Sequence, residues 1–253
     1  MTIEKRPTST WETWRLIYRA WRFRLGRDKY EILTLLDHLK PGQTAIDIGA
    51  HKGAYTYWMQ KRVGPTGRVF AFEPQPVLAA RLRGLVAKMA MSQVQVEQMG
   101  LSDQEAVGVL TVPGDGSASP GASLVGQSIQ GPKTAIPGIK LVSLDHYFAE
   151  QSPVHLIKCD VEGHELAVFK GGRNLLERDR PLILFECEAR HQSGQTMEEV
   201  FRFLTDLGYV GSFYHHGEKK PLVSFSLDMQ ADVSCRNYMN NFIFIHPDAA
   251  KHS

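Results

Sequence analysis

Thr44-Ala-Ile-Asp-Ile-Gly-Ala-His-Lys-Gly53 reads as an apolar strand carrying an acid near its end, then a turn of small residues, then the start of a helix. Glycine and alanine at a strand-to-helix turn (Gly49, Ala50, Gly53) let a ligand approach the backbone closely. The helix start that follows offers free N–H groups to a carboxylate or phosphate. The spacing is not Gly-x-Gly-x-x-Gly, so a pyrophosphate cradle for a dinucleotide fits poorly. Asp47, placed before the glycines, would repel a pyrophosphate and suits a cationic amino group.

Two further signals follow at the right distances. The run Arg68–Phe72 reads as a second strand, and Glu73 stands at its end, where a carboxylate can accept hydrogen bonds from both hydroxyls of a ribose. After a third strand, Met99-Gly-Leu-Ser-Asp103 is placed to border an adenine ring. An amine-binding acid, a ribose-binding acid and a base-bordering loop, in that order, specify a nucleoside carrying an amino acid. That ligand is S-adenosylmethionine.

Outward from this stretch, short β-rich runs alternate with helical ones, the pattern of a parallel sheet covered by helices. Strands are predicted at Thr44–Ile48, Arg68–Phe72, Val94–Gln98, His155–Cys159, Leu182–Glu186, Tyr209–Tyr214 and Phe242–Ile245. Helices are predicted at Gly53–Val63, Pro76–Met91, His164–Glu177 and Thr196–Leu207. The final two strands leave no room for a helical crossover, so they should pair antiparallel. The expected fold is α/β: a doubly wound, Rossmann-like, seven-stranded and mostly parallel sheet with an antiparallel last strand. Between Pro113 and Lys140, prolines and glycines crowd between two strand-like flanks, Val107–Val112 and Ile139–Leu144. They predict a hairpin-like insertion with a mobile tip. Residues 41–253 are read as one domain containing that insertion at 113–140.

Residues 1–40 form a helical extension to it. Trp11, Trp14, Tyr18, Trp21 and Leu25 step by three and four residues, which puts them on one helical face, with Arg15, Arg19 and Arg22 beside it. The plain expectation is a helix that packs its aromatic face on the domain. The functional alternative is a lid over the substrate, or a foot on an anionic membrane surface through residues 11–29.

Composition narrows the setting. The chain has 253 residues, 29 Lys+Arg against 27 Asp+Glu, and 43% hydrophobic residues, which is ordinary globular usage and excludes wholesale disorder. Residues 1–40 hold nine basic residues against five acids, leaving the other 213 residues at −2 and without a broad nucleic-acid footprint. No apolar run approaches the ~20 residues needed to cross a bilayer, and residues 1–10 lack a signal-like apolar stretch. Three cysteines make no disulfide framework, and Cys159 and Cys187 fall in apolar runs as reduced, buried thiols. The expected setting is therefore cytoplasmic, with a small-molecule or glycan partner and no nucleic acid.

The second informative stretch is His155-Leu-Ile-Lys-Cys-Asp-Val-Glu-Gly-His-Glu165. Its strand delivers Asp160 to the carboxyl edge of the sheet, where ligands of doubly wound folds bind. Glu162, His164 and Glu165 crowd the turn into the next helix, where early acids also suit the helix dipole. A buried Lys158 would need an anion, and Asp160 and Glu186 are the candidates. Glu186 and Glu188, ending the strand Leu182–Glu186, add a second pair of carboxylates at the same edge.

With these residues in view the chain resembles the FkbM-type methyltransferases. The resemblance rests on Asp47–Gly53, Glu73-Pro74, Ala122-Ser-Leu124, Ser143-Leu-Asp145, Ile157–Glu165, Lys170-Gly-Gly172 and Pro181–Glu186, and covers about residues 40–215. It implies S-adenosylmethionine-dependent O-methylation of a hydroxyl on a sugar, glycan or polyketide-type natural product. It also implies cofactor contacts at Asp47, Gly49, Glu73, Ser102 and Asp103, with Asp160 and Glu162 bordering the reaction centre. Together with the turn residues Ala50, His51 and Gly53, and with Asp160, these make up the expected cofactor set. His51 departs from the asparagine common in such proteins.

Methyl transfer from a sulfonium needs alignment above all, and a hydroxyl acceptor also needs a base. The candidates, in order, are Asp160, Glu186, His164 and His51. Asp160, Glu162, Glu186 and Glu188 could alternatively hold a divalent ion, although a metal-free site is the expectation. Two other classes remain open: an N-methyltransferase with the same cofactor, and a scaffold that kept the fold without turnover.

Overall fold

The computed structural model describes residues 10–26, 28–114, 121–124, 131–192, 196–235 and 238–249. Along the chain run α1 (Thr10–Leu25), α2 (Lys29–His38), β1 (Thr44–Ile48), α3 (Ala54–Val63), β2 (Arg68–Phe72), α4 (Pro76–Lys88) and β3 (Val94–Glu97). There follow β4 (Gly100–Leu101), β5 (Ala106–Pro113), β6 (Lys133–Val142), α5 (Leu144–Tyr147), β7 (Leu156–Cys159), α6 (Glu165–Lys170), α7 (Arg173–Asp179) and β8 (Leu182–Glu186). The chain closes with α8 (Met197–Asp206), β9 (Val210–His215), β10 (Glu218–Pro221) and β11 (Asn241–Ile245).

The main sheet has the order β10-β9-β11-β8-β7-β1-β2-β3. From β3 to β8 neighbouring strands are parallel, and β11 lies antiparallel between β8 and β9. All seven expected strands are present. The eighth, β10, is an addition: it folds back on β9 through a turn at His216 and Gly217, both with positive φ. Its sequence, Glu-Lys-Lys-Pro, carries no apolar alternation, because an exposed edge strand has no face to bury. Residues 133–138, expected within the insertion before the strand-like flank at Ile139, already belong to β6, which pairs antiparallel with β5 and parallel with β4 in a small second sheet. The tip of the expected insertion lies outside the described residues.

Both faces of the main sheet are buried, as parallel sheets require. Ile46, Ile48, Phe70, Phe72, Ile157, Phe185 and Phe242 pack one face against α5–α8. Ala45, Val69, Leu156, Leu182 and Leu184 pack the other against α1, α2 and α3. The alternation decides where the polar residues go. Asp47 and Lys158 are register partners on the face covered by the N-terminal helices.

The expected helix 164–177 is two helices. A Cβ on Gly171 would lie 2.0 Å from the Ser102 carbonyl oxygen, so the chain bends at Gly171-Gly172 where that loop crosses it. Helix α8 opens on a capping box between Thr196 and Glu199.

Helix α1 corrects a second expectation. Leu16 and Ala20, with half-buried Ile17 and Phe23, pack it on the domain, and Ala20 accepts a hydrogen bond from Trp58 Nε1 at 2.9 Å. The aromatic stripe points the other way. Trp11, Trp14, Tyr18 and Leu25 are each more than 60% exposed, and Trp21 is 43% exposed. Periodicity shows that they share a face but not which side that face turns to.

Candidate functional site

The strand order reverses direction between β1 and β7, and a crevice opens at the carboxyl ends of β1, β2 and β7, the general ligand position in doubly wound sheets. Counted out into its open mouth, its empty space is about 690 Å³. Ile48, Gly49 and His51 line it from the first turn, Phe72 and Glu73 from the second strand, and Asp160, Val161 and Glu162 from the fourth. Met99, Leu101, Leu110, Ala122 and Leu124 form an apolar wall suited to a flat base.

The first turn is shaped by close approach. Gly49 has φ +76°, and its N–H and that of Ala50 donate to the Phe72 carbonyl at 2.9 and 3.0 Å. The carboxylate of Glu73 holds the turn in place: Oε2 accepts from His51 N–H at 2.7 Å and Oε1 from Gln75 N–H at 2.9 Å. Burial pushes the Glu73 carboxyl up to about 7 despite those two donors. His51 adopts φ +49°, and its ring Nε2 is buried without a hydrogen-bond partner. Burial, then the nearby Lys52 and Arg19, pushes this imidazole down to about 4, so it is neutral at ordinary pH.

Asp47 departs from expectation. It is 2% exposed, accepts a 2.5 Å hydrogen bond from Thr56 Oγ1, and does not line the crevice. Alternation along β1 turns it under α3, while Asp160, one residue beyond β7, reaches the opening with its side chain 39% exposed. Ala50 and Gly53 are likewise buried behind the turn: Ala50 packs with Ala71 and Leu82, and a Cβ on Gly53 would meet Leu82 at 2.6 Å. Ser102 is buried and Asp103 exposed, and neither lines the crevice. Ser102 Oγ lies 3.0 Å from His164 Nε2, so His164 fastens the loop after β4 to α6 and faces away from the opening.

The string Asp-Val-Glu-Gly-His-Glu has a mechanical reading. Glu162 takes φ +52° and Gly163 φ +93°, with the His191 carbonyl 2.1 Å from where a Gly163 Cβ would sit. Buried Glu165 accepts from Gly163 N–H at 2.9 Å and from Gln192 at 3.0 Å, closing the turn. Glu162 pairs with His191 at 2.5 Å.

Behind Asp160 lies a chain of buried polar groups. Lys158 Nζ is 4.0 Å from Asp160 Oδ2 and 5.1 Å above the Tyr55 ring, and Tyr55 Oη donates to Asp28 at 3.0 Å. Burial would lower the Lys158 pKa, but Asp160, Glu186 and Asp28 hold it above its ordinary value. Desolvation pushes the Asp160 carboxyl up, against the pull of Lys158. Glu186 and Glu188 divide their roles. Burial, then Asp160, drives Glu186 well up. Glu188, though buried, is held down at about 2 by Arg190, Glu186, Tyr238 and Asn240. Asn240 Nδ2 bridges both carboxylates, at 2.5 Å from Glu186 and 3.0 Å from Glu188. Among the described residues no three His, Cys, Asp or Glu side chains form a metal-ligating group, because Glu162 and Glu188 are turned to cationic partners.

A second cavity, about 1660 Å³ and open to solvent, lies over the ends of β9 and β11. Tyr30 and Glu31 of α2, Tyr214, His215 and His216 of the β9–β10 hairpin, and Tyr238, Asn240 and Asn241 line it. Tyr30 stacks on Tyr214 with centroids 4.6 Å apart, and a Cβ on Gly217 would touch Tyr30 Oη at 2.8 Å, so the unexpected β10 hairpin forms part of this wall. Glu31 is 6% exposed, and its Oε2 has no hydrogen-bond partner. Burial pushes its carboxyl up to about 7. Sequence reasoning missed Glu31. The available flag was an acid four residues before Leu35, on the apolar face of α2.

The family model described as the methyltransferase FkbM domain matches residues 47–210. The chain belongs to the FkbM methyltransferase family. Among solved structures, the chain is similar to an FkbM methyltransferase from Methylobacillus flagellatus KT, with 15% identity, a TM-score of 0.53, and coverage of 96% of this chain. It spans 56% of that protein's length. A putative rRNA-methylase from Clostridium thermocellum gives 13% identity and a TM-score of 0.52, covering 87% of this chain and 95% of that one. These likenesses establish the Rossmann-like methyltransferase fold. No curated protein matches the sequence significantly.

The methyl donor expected for a domain of this family is S-adenosylmethionine, and the residues present fit it. Glu73, at the end of β2, would be placed to hold ribose hydroxyls, and His51, whose Nε2 is buried without a hydrogen-bond partner, lines the same crevice. Of the two acids expected near the donor, Asp160 lines the crevice and would be the anion available to a cationic end, whereas Asp47 lies beneath α3. Helix α2 precedes the residues that the family model matches, while β10, Asn240 and Asn241 follow them.

Proposed function

We propose that the protein methylates a hydroxyl group of a small polyhydroxylated molecule, such as a sugar, a glycan or a polyketide-type product. Bound S-adenosylmethionine supplies a methyl group already activated on sulfonium sulfur. The chain's own work is to align the acceptor and to take its proton, and alignment alone can supply roughly 7–11 kcal/mol.

In this reading the acceptor occupies the second cavity. The stacked Tyr30 and Tyr214 offer an apolar face to a sugar ring, and Asn241, whose side-chain carbonyl is not used by Asn240, offers an amide to its hydroxyls. Glu31 is the acid free to act as base, because its Oε2 is unpaired and its pKa stands near neutrality. Glu186, the second sequence candidate, is poorly suited: its carboxyl is held protonated beside ionised Glu188. His164 points at Ser102. Asp160 lines the donor crevice, where it would orient the donor, with Lys158 4.0 Å behind it.

The observation carrying this proposal is the pairing of a donor crevice at the β1, β2 and β7 ends with a second, polar cavity walled by a buried acid. Its test is transfer of isotopically labelled methyl from S-adenosylmethionine to a panel of sugars, glycans and hydroxylated polyketides. A product whose methyl is released only under ether-cleaving conditions supports oxygen as acceptor. Release typical of an amine would favour the N-methyl alternative, which could draw on the same acids. No donor binding in calorimetry at sub-millimolar concentration would leave a scaffold.

A further inference from the structure

Helix α1 has two faces with different chemistry. The inner face is spent on packing: Leu16 and Ala20 are buried and Trp58 hydrogen-bonds to Ala20. The outer face carries Trp11, Trp14, Tyr18, Trp21 and Leu25, exposed by 68, 63, 68, 43 and 72%. Soluble surfaces seldom leave such a contiguous aromatic row in water, and one of this kind marks an interaction site. Trp21, at the edge of the row, also meets buried Trp58 edge-on at 5.1 Å, while Trp11, Trp14, Tyr18 and Leu25 are not part of the domain's core.

The charges around the row identify what would cover it. Arg15 and Arg22 share the exposed side, and Arg19 and Arg24 flank it. Glu12, the helix's one acid, is drawn to Arg81 at 2.9 Å. Lys52 and Arg81 add positive charge from neighbouring elements. Burial first, and then the mutual repulsion of these cations, lowers the proton affinity of Arg19 and Lys52. Tryptophan and tyrosine favour the boundary between headgroup and hydrocarbon, and arginine favours anionic headgroups. A second copy of this chain would bring like charge against like charge.

We propose that the outer face of α1 seats the protein on an anionic lipid bilayer, with its aromatic row in the interface and its arginines against the headgroups. The helix then lies along the membrane plane. Leu25, the last member of the row, also lines the second cavity, so the cavity's edge sits beside the lipid surface.

The test is co-sedimentation of the full chain with vesicles of phosphatidylcholine alone and of phosphatidylcholine mixed with phosphatidylglycerol. The expected result is binding to the mixed vesicles that weakens as salt rises. The pair Arg15→Gln/Arg22→Gln should lower affinity roughly thirtyfold, on about 1 kcal/mol per charge near the surface. The pair Trp11→Ser/Trp14→Ser should lower it about tenfold or more. Both pairs should keep the parent's thermal unfolding and its affinity for S-adenosylmethionine. A blue shift of the parent's tryptophan emission on mixed vesicles supports the seating without relying on any variant. Equal recovery of the parent in the supernatant with both vesicle types at low salt would overturn the proposal. So would variants that fold and bind vesicles as tightly as the parent. A self-associated parent that the tryptophan pair turns into monomers, without vesicle binding, assigns the face to a second copy and also overturns it.

Discussion

The Asp160 carbonyl oxygen lies 1.9 Å from the point where a Cβ on Gly49 would sit. The first turn and the fourth parallel strand therefore touch backbone to backbone at the floor of the donor crevice. That contact explains the glycine better than ligand approach alone does, since φ +76° and the carbonyl each exclude a side chain.

Gly49→Ala should accordingly push β1 and β7 apart at their tips. The expected outcome is a lower melting temperature together with loss of S-adenosylmethionine binding by calorimetry. Unchanged affinity would show that the floor can move without disturbing the donor.

Glu73→Gln replaces a carboxylate that serves two backbone donors with an amide whose NH₂ must face one of them. A cost of about 1–3 kcal/mol in folding stability is expected from the unsatisfied group. Donor affinity should fall about tenfold or more, with a smaller change in turnover at saturating donor. Equal donor affinity in the variant would remove Glu73 from the ribose role.

Glu31→Gln separates chemistry from stability. With the carboxyl at about 7, wild-type kcat should rise with pH through neutrality and then level off. The variant should lose roughly 10²–10⁴-fold in kcat, and with it that rising limb. Stability should move the other way. The folded-state value lies above the ordinary 4.5, so the contribution of Glu31 is fully present below pH 4.5 and is lost as pH rises through 7. At pH 8 the buried charge costs up to about 3 kcal/mol, so the variant should melt higher than wild type there and equally at pH 4. An unchanged pH–kcat profile would return the base role to Asp160.

His164→Ala should leave kcat within about twofold while lowering the melting temperature, because the ring holds Ser102 and lines neither cavity described above. A loss of turnover with an intact fold would place the imidazole in the chemistry after all.

The sequence carried the sheet well where strands are buried on both faces. Thr44–Ile48 and Arg68–Phe72 have the expected bounds, because an uninterrupted apolar run ended by a turn leaves little choice. Strand β10 was hidden because Glu-Lys-Lys-Pro pairs through its backbone alone. Glu73 and Asp160 line the crevice from the strand ends where the sequence put them. Asp47 was misjudged by a single residue of alternation: one place earlier than the tip, it turns beneath α3. Glu31 and Asn240 come from segments far apart in sequence, and only the packing of α2 against the β9–β10 hairpin brings them to one cavity.

Strand β11 sits between β8 and β9, and β10 joins the sheet only through β9. Residues 241–245 are thus the keystone of that half of the molecule, although they are translated after every other described strand. A nascent chain can assemble β1, β2, β3, β7 and β8 on leaving the ribosome, yet it must hold the β9–β10 hairpin undocked until this segment emerges. Ribosomes stalled before Asn240 would therefore display a domain with its donor crevice framed and its acceptor wall still unbuilt.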